Sequence, residues 1–159
     1  MDRGEVTLGE AKQHFMEVNP QYADVLDYFL TRAELMTTDR PKVWRKMKEA
    51  KDIGYNIYIL SNYGEELFDL HARTKEFINY PDGMVVSYEA KCCKPDKQIY
   101  QIMVDRYGLT PSECIFFDDL EENVISAIEF GFSSVQITSE EVLLEELEKL
   151  INAGANVRL

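Results

Sequence analysis

Two adjacent carboxylates, Asp118 and Asp119, follow directly on CIFF (114–117), four residues suited to burial. A Ser61-Asn62 pair follows the apolar run YNIYIL (55–60), and Lys94 stands just before Pro95, soon after MVVS (84–87). Taken singly, each is an ordinary turn, cap or surface residue. Their joint order carries the information. Two carboxylates side by side at a half-buried edge repel each other, and a cation between them relieves the repulsion. Mg²⁺ takes hard oxygen ligands and keeps waters, so one or two carboxylates plus a phosphate oxygen suit it. An ammonium can neutralise a phosphoryl group, while a hydroxyl and a backbone N–H can hold its oxygens. The set therefore has the parts of a site for a phosphate monoester with Mg²⁺.

The elements around these residues must bring them to one place. YNIYIL, MVVS, CIFF and SVQI (134–137) read as short strands. Helical patterns follow them at about 64–77, 95–107, 121–130 and 140–151. Such alternation predicts an α/β fold, a Rossmann-like parallel sheet with helices on both faces and right-handed crossovers. Ligands of such sheets bind beyond the carboxyl ends of the strands, which is where Ser61, Lys94 and the acid pair lie. The first third reads as helical. Thr7 and Glu10 form a capping box before a helix to about Met16, and Asn19-Pro20 breaks it. Tyr22, Val25, Leu26, Phe29 and Leu30 recur at helical spacing. Asp39 is expected to cap a third helix, with Pro41 in its first turn and Gly54 past its end.

Bulk properties narrow the classes. A chain of 159 residues holds one domain with a core. Its net charge of −12 repels phosphate backbones, which argues against nucleic-acid and anionic-membrane partners. No apolar run reaches the roughly 20 residues of a membrane span, and MDRGEVTLGEAK lacks the pattern of a secretion signal. Cys92, Cys93 and Cys114 form no disulfide framework and fit a reducing compartment, so the reading places the protein in the cytoplasm. The glycines never approach GxGxxG or GxxxxGK[ST]. In receiver domains the acid pair comes first and the lysine last, the reverse of the order here. His14 and His71 are read as packing or surface residues, and Trp44 and Met47 as the core face of a helix.

ILSN, KPDKQIY and IFFDDLEENV resemble motifs two, three and four of the haloacid dehalogenase (HAD) superfamily. The likeness is to its phosphatase branches with a small helical cap, and it covers residues 40–138. It implies a HAD-like core at 39–159 and a partial helical cap at 1–38, where Phe15, Tyr22, Tyr28 and Phe29 sit. It also implies a Mg²⁺-dependent phosphatase acting on a small phosphorylated metabolite. By this resemblance Ser61 and the backbone N–H of Asn62 hold the phosphoryl group and Lys94 balances its charge. Asp119 is the direct Mg²⁺ ligand, Asp118 supports it or shares the metal, and Asn123 orients the acidic loop. Dehalogenation also occurs in the superfamily, but it needs no Mg²⁺ site, and the acid pair argues against it.

One motif departs from the pattern. The family's nucleophile and its general acid–base are the two aspartates of a DxDx(T/V) motif ending the first strand. No two aspartates in this chain are separated by one residue, and no apolar strand precedes its first helices. By resemblance that strand is the central one, between YNIYIL and CIFF. Losing four such buried side chains removes about 6–12 kcal/mol and exposes two strand edges. The reading favours a chain beginning inside a longer phosphatase. The alternatives are a non-catalytic phosphate- and Mg²⁺-binding relative, or direct pairing of the two flanking strands.

Overall fold

The computed structural model describes residues 1–73 and 75–157, with side chains through Gly154. The N-terminal part holds α1 (Leu8–Val18) and α2 (Ala23–Leu30), joined by a 3₁₀ turn at Pro20–Tyr22. The capping box forms as expected: Glu10 N–H donates to Thr7 Oγ1 at 3.1 Å, and Thr7 N–H donates to the Glu10 carboxylate at 2.8 Å. Neither α1 nor α2 has a buried residue, and Phe15, Tyr22, Tyr28 and Phe29 are all exposed.

Helix α3 (Pro41–Asp52) begins differently from the expectation. Arg40 is its N-cap and Asp39 lies one residue outside the helix, because Pro41 occupies the first helical position. The Asp39 carboxylate pairs with Lys75 Nζ at 2.7 Å instead.

Strand β1 (Tyr58–Ser61) is followed by α4 (Glu65–His71), β2 (Gly83–Val86) and the short α5 (Ser87–Ala90). The single helix expected over 64–77 stops at His71, and a 3₁₀ turn at Glu76–Asn79 follows. That turn sets Phe77 against Trp44 of α3, ring centroids 5.7 Å apart. Then come α6 (Lys97–Tyr107), β3 (Ile115–Asp118), α7 (Glu121–Phe130), β4 (Ser133–Gln136) and α8 (Glu140–Val157). Gly131, at φ +115°, turns the chain from α7 towards β4 in a conformation that favours glycine. Gly83 is required by space: a Cβ there would lie 2.2 Å from the Tyr107 ring. That proximity lets the Tyr107 hydroxyl accept from Met84 N–H at 2.8 Å and donate to Met84 C=O at 2.9 Å.

The parallel pairing is as expected, but the single continuous sheet is not found. Among the described residues, β1 pairs only with β2 and β3 only with β4, both in parallel. The flanking strands have not closed on each other. Both ladders nevertheless lie on one core: Tyr58 and Leu60 of β1 and Phe116 of β3 pack against Val85, Ile99, Tyr100 and Met103. Tyr100, fully buried, meets Phe116 edge-on at 5.8 Å and also touches Phe130 and Phe132.

Asp82 pins the entry to both strands of the first ladder. Its carboxylate accepts from Ile57 N–H at 2.9 Å and pairs with Lys51 Nζ at 2.8 Å. Lys51, then the Ile57 N–H, hold the Asp82 carboxyl below its ordinary value. A depressed folded-state value means stability that is present above the unfolded value and lost as pH falls through the folded one. We expect Asp82→Asn to flatten the acid limb of the stability curve below about pH 4. Urea midpoints at pH 3 and pH 6 check this, and an unchanged acid limb would contradict it.

Candidate active site

The strands converge their functional residues because both ladders are parallel and end at the same edge. Ser61 closes β1 and Asp118 closes β3. Lys94 reaches this edge from the segment between α5 and α6. Two hydrogen bonds between the Asn62 side chain and the Lys94 backbone hold that segment: Lys94 N–H donates to Asn62 Oδ1 at 2.8 Å, and Asn62 Nδ2 donates to Lys94 C=O at 2.9 Å. The Lys94–Pro95 peptide is cis. The Ser126 hydroxyl secures the other side by donating to Pro95 C=O at 2.6 Å.

The Lys94 ammonium spans the two ladders. It donates to Leu60 C=O on β1 at 3.0 Å and to Asp118 Oδ2 on β3 at 2.6 Å. The side chains of this ion pair are only 10% and 4% exposed. Asp118 Oδ1 accepts from Leu120 N–H at 2.9 Å and from Asn123 Nδ2 at 2.8 Å. Both oxygens of Asp118 are therefore engaged, and a charge this buried needs such partners. Asp119 is exposed, and its backbone carbonyl accepts from Gln136 Nε2 at 3.1 Å.

Asn123 is itself fixed from below. The Tyr100 hydroxyl donates to its backbone carbonyl at 2.9 Å. Burial first, and then the nearby Asp118 charge, push the Tyr100 hydroxyl up to about 12, so it stays a donor. Asn123 Oδ1 is buried with no partner among the described residues, which leaves a free acceptor beside the acid pair.

Two further features were not read from the sequence. Ser87 is fully buried and its Oγ accepts from Tyr63 N–H at 2.9 Å, which shapes the turn after Ser61-Asn62. His71, also buried, sits 2.8 Å from the Tyr63 hydroxyl through Nδ1 and 2.6 Å from Ala33 C=O through Nε2. A carbonyl can only accept, so Nε2 carries the proton and Nδ1 accepts from Tyr63. Burial holds the Tyr63 hydroxyl above its ordinary value, consistent with that donor role. These contacts join residues far apart in the chain, and only an aromatic followed eight residues later by histidine hinted at them. His14, by contrast, is exposed.

With the geometry in place, comparison with known proteins is decisive. Residues 5–131 match the family model for haloacid dehalogenase-like hydrolases. The chain belongs to this HAD-like family. It is 30% identical to mouse (Mus musculus) acyl-CoA dehydrogenase family member 10, over 94% of this chain and 14% of that protein. It is 27% identical to D-ribitol-5-phosphate phosphatase of Bacteroides thetaiotaomicron, over 62% of this chain and 51% of that protein. The chain thus spans 14% and about half of these two relatives' lengths. A crystal structure of a HAD family enzyme from B. thetaiotaomicron, in complex with magnesium and inorganic phosphate, superposes with a TM-score of 0.65 at 24% identity. That superposition covers 85% of this chain and 72% of the other, and it shows a common fold. HAD-like membership makes this a hydrolase-family chain with a Rossmann-like α/β fold. None of its described helices is long and apolar enough to cross a membrane.

Proposed function

We propose that the edge formed by Ser61, Asn62, Lys94, Asp118 and Asp119 is the phosphate- and Mg²⁺-binding part of a small-phosphomonoester hydrolase. Residues 1–38 serve as its partial helical cap. The observation that carries the reading is Lys94. A buried ammonium, fixed between Leu60 C=O at the end of β1 and Asp118 at the end of β3, is suited to a phosphoryl group. The phosphatase named among the relatives supports the same chemistry.

The donor set fits Mg²⁺. It offers only hard oxygens: the exposed Asp119 carboxylate and the unpartnered Asn123 Oδ1, with Asp118, whose two oxygens are engaged by Lys94, Leu120 and Asn123, supporting them from behind. No group of three or more acidic, histidine or cysteine side chains is gathered among the described residues. The remaining positions would fall to phosphate and water, as this ion prefers. When bound, Mg²⁺ neutralises charge on the phosphoryl oxygens. Ser61 would donate to one of those oxygens and Lys94 would offset a second charge. Asn62 keeps Lys94 in place, and Asn123 keeps Asp118 from turning away. The family's covalent step needs an aspartate nucleophile on a DxD strand, which these residues do not contain. That absence favours a second reading, a non-catalytic phosphate- and Mg²⁺-binding chain.

Calorimetry with inorganic phosphate, with and without Mg²⁺, tests the binding. We expect Mg²⁺-enhanced binding that weakens about tenfold or more in Ser61→Ala, the loss of one hydrogen bond to a charged group. Phosphate binding indifferent to both Mg²⁺ and Ser61 would sink the site. Turnover of an aryl phosphate separates the two readings. The chain alone is expected at background, and Asp119→Ala should leave that background unchanged. Mg²⁺-dependent turnover lost in Asp119→Ala would place the nucleophile within these residues.

A further inference from the structure

We infer that the organic part of the phosphomonoester is a flat aryl group, lodged in an apolar cavity that meets the phosphate edge at Ser61. The inference rests on the phosphate reading of Ser61 and Lys94 and names the substrate class for that site.

The cavity lies between β1, α3 and α4 and has a volume of about 280 Å³. Ile59 and Ser61, two residues apart on β1, both line it, as alternation along a strand requires. Leu60, between them, packs instead against the core of Val85 and Tyr100. The Leu60 carbonyl that Lys94 holds and the Ser61 N–H belong to one peptide unit. The phosphate edge and the cavity therefore join at Ser61. A void of about 150 Å³ already admits benzene, so this one has room for a six-membered ring with its linking oxygen, or for two fused rings.

The walls favour an aromatic occupant. Trp44 of α3 and Phe77 form one pair, with ring centroids 5.7 Å apart and planes inclined by 30°. Tyr63 and Phe68 form a second, 5.9 Å apart and edge-on at 69°. The lining thus supplies both ring faces and ring edges, the two surfaces that aromatic partners use. No charged side chain lines the cavity among the described residues, so the part of a ligand that enters is uncharged and the phosphoryl group stays at the edge with Lys94. Two hydroxyls belong to the lining. That of Tyr63 is committed to His71, which leaves Ser61 to meet the phosphate ester.

The cavity is preformed, as ligand sites usually are. Tyr63 is held at both ends, its hydroxyl by His71 Nδ1 at 2.8 Å and its N–H by Ser87 Oγ at 2.9 Å. Phe68 and Ala72 are buried behind it. Trp44, Met47 and Ile59 remain only half-buried, apolar surface that an aryl ring would cover.

The test uses the whole chain with Mg²⁺ and three probes: inorganic phosphate, phenyl phosphate and cyclohexyl phosphate. Calorimetry gives the affinities, and Trp44, the chain's single tryptophan, reports the cavity through its emission. Phenyl phosphate should bind on the order of a hundredfold more tightly than inorganic phosphate, from burial of the ring. It should bind about tenfold more tightly than cyclohexyl phosphate, from aromatic contacts. Phenyl phosphate should change the Trp44 emission and inorganic phosphate should not. Ala72→Met extends a wall residue into the cavity. It should cancel the gain from the phenyl group and leave inorganic phosphate binding unchanged. If that variant does not fold, Phe77→Leu should lower the preference for phenyl over cyclohexyl by about threefold. Phenyl phosphate bound no more tightly than inorganic phosphate overturns the inference, as does equal binding of phenyl and cyclohexyl phosphates. A phenyl preference that leaves Trp44 emission unmoved, or that survives Ala72→Met, overturns it too, because the ring then sits elsewhere. Each of these results spares the phosphate site. Failure of inorganic phosphate to bind overturns the phosphate reading itself, and the inference with it.

Discussion

Replacing Lys94 with methionine is expected to destabilise the chain by about 3–5 kcal/mol, the cost of leaving a buried charge without its partner. The Asp118 carboxylate has lost nearly all contact with water, and Lys94 is its only cationic partner among the described ion pairs. The methionine keeps most of the stem's volume, so the loss reports charge and hydrogen bonding more than packing. Leu60 C=O also loses its donor, which loosens the link between the two ladders. Lys94→Met/Asp118→Asn should recover a substantial part of the loss, because the amide needs no cation and can still accept from Leu120 and donate or accept elsewhere. Urea unfolding of the two single variants and the double variant measures the coupling. A single-variant loss under about 1 kcal/mol, the range of an exposed pair, would mean the pair is solvated in solution.

The second large effect is expected at Tyr100. Tyr100→Ala should cost about 3–5 kcal/mol, the range for removing a buried aromatic ring. Tyr100→Phe should cost about 1 kcal/mol, the net worth of one hydrogen bond. The ring is the meeting point of Phe116, Phe130 and Phe132, and so ties α6 to β3, α7 and the start of β4. The hydroxyl has a separate task, holding the carbonyl of Asn123 and through it the loop that carries Asp118. Thermal or urea unfolding separates the two. A Phe variant as damaged as the Ala variant would show that the hydroxyl, and not the ring, dominates.

Much of this was legible in the residues. The four short apolar runs became the four strands, each displaced by no more than about three residues, because alternation of strands and helices is written locally. Lys94 and Asp118 meet, one residue along from Ser61 through Leu60 C=O, because parallel strands end on one side, a rule of topology that needs no coordinates. That no two aspartates of these residues stand one residue apart was also legible, since DxD is a short and specific pattern. Whether β1 and β3 would close on each other was not, because that depends on Lys94 satisfying Leu60 from a distance of 34 residues. Asp39 misled for a local reason: a proline one residue later moved the cap. The Tyr63–His71–Ala33 chain was hard to read because Ala33 comes from a distant stretch with no periodicity shared with Tyr63 and His71.

The division into two ladders also bears on how the chain reaches its folded state. Tyr58 finds Gly83 only 25 residues later, and Ile115 finds Ser133 only 18 later, so each ladder closes a short loop with a modest entropic cost. Among the described residues no strand pairing spans from one ladder to the other, which lowers the mean sequence separation of contacts and favours fast folding. A sheet with its middle strand drawn from the far N-terminus would have to close a much longer loop first. Here the two halves can form early, each from its own contiguous stretch.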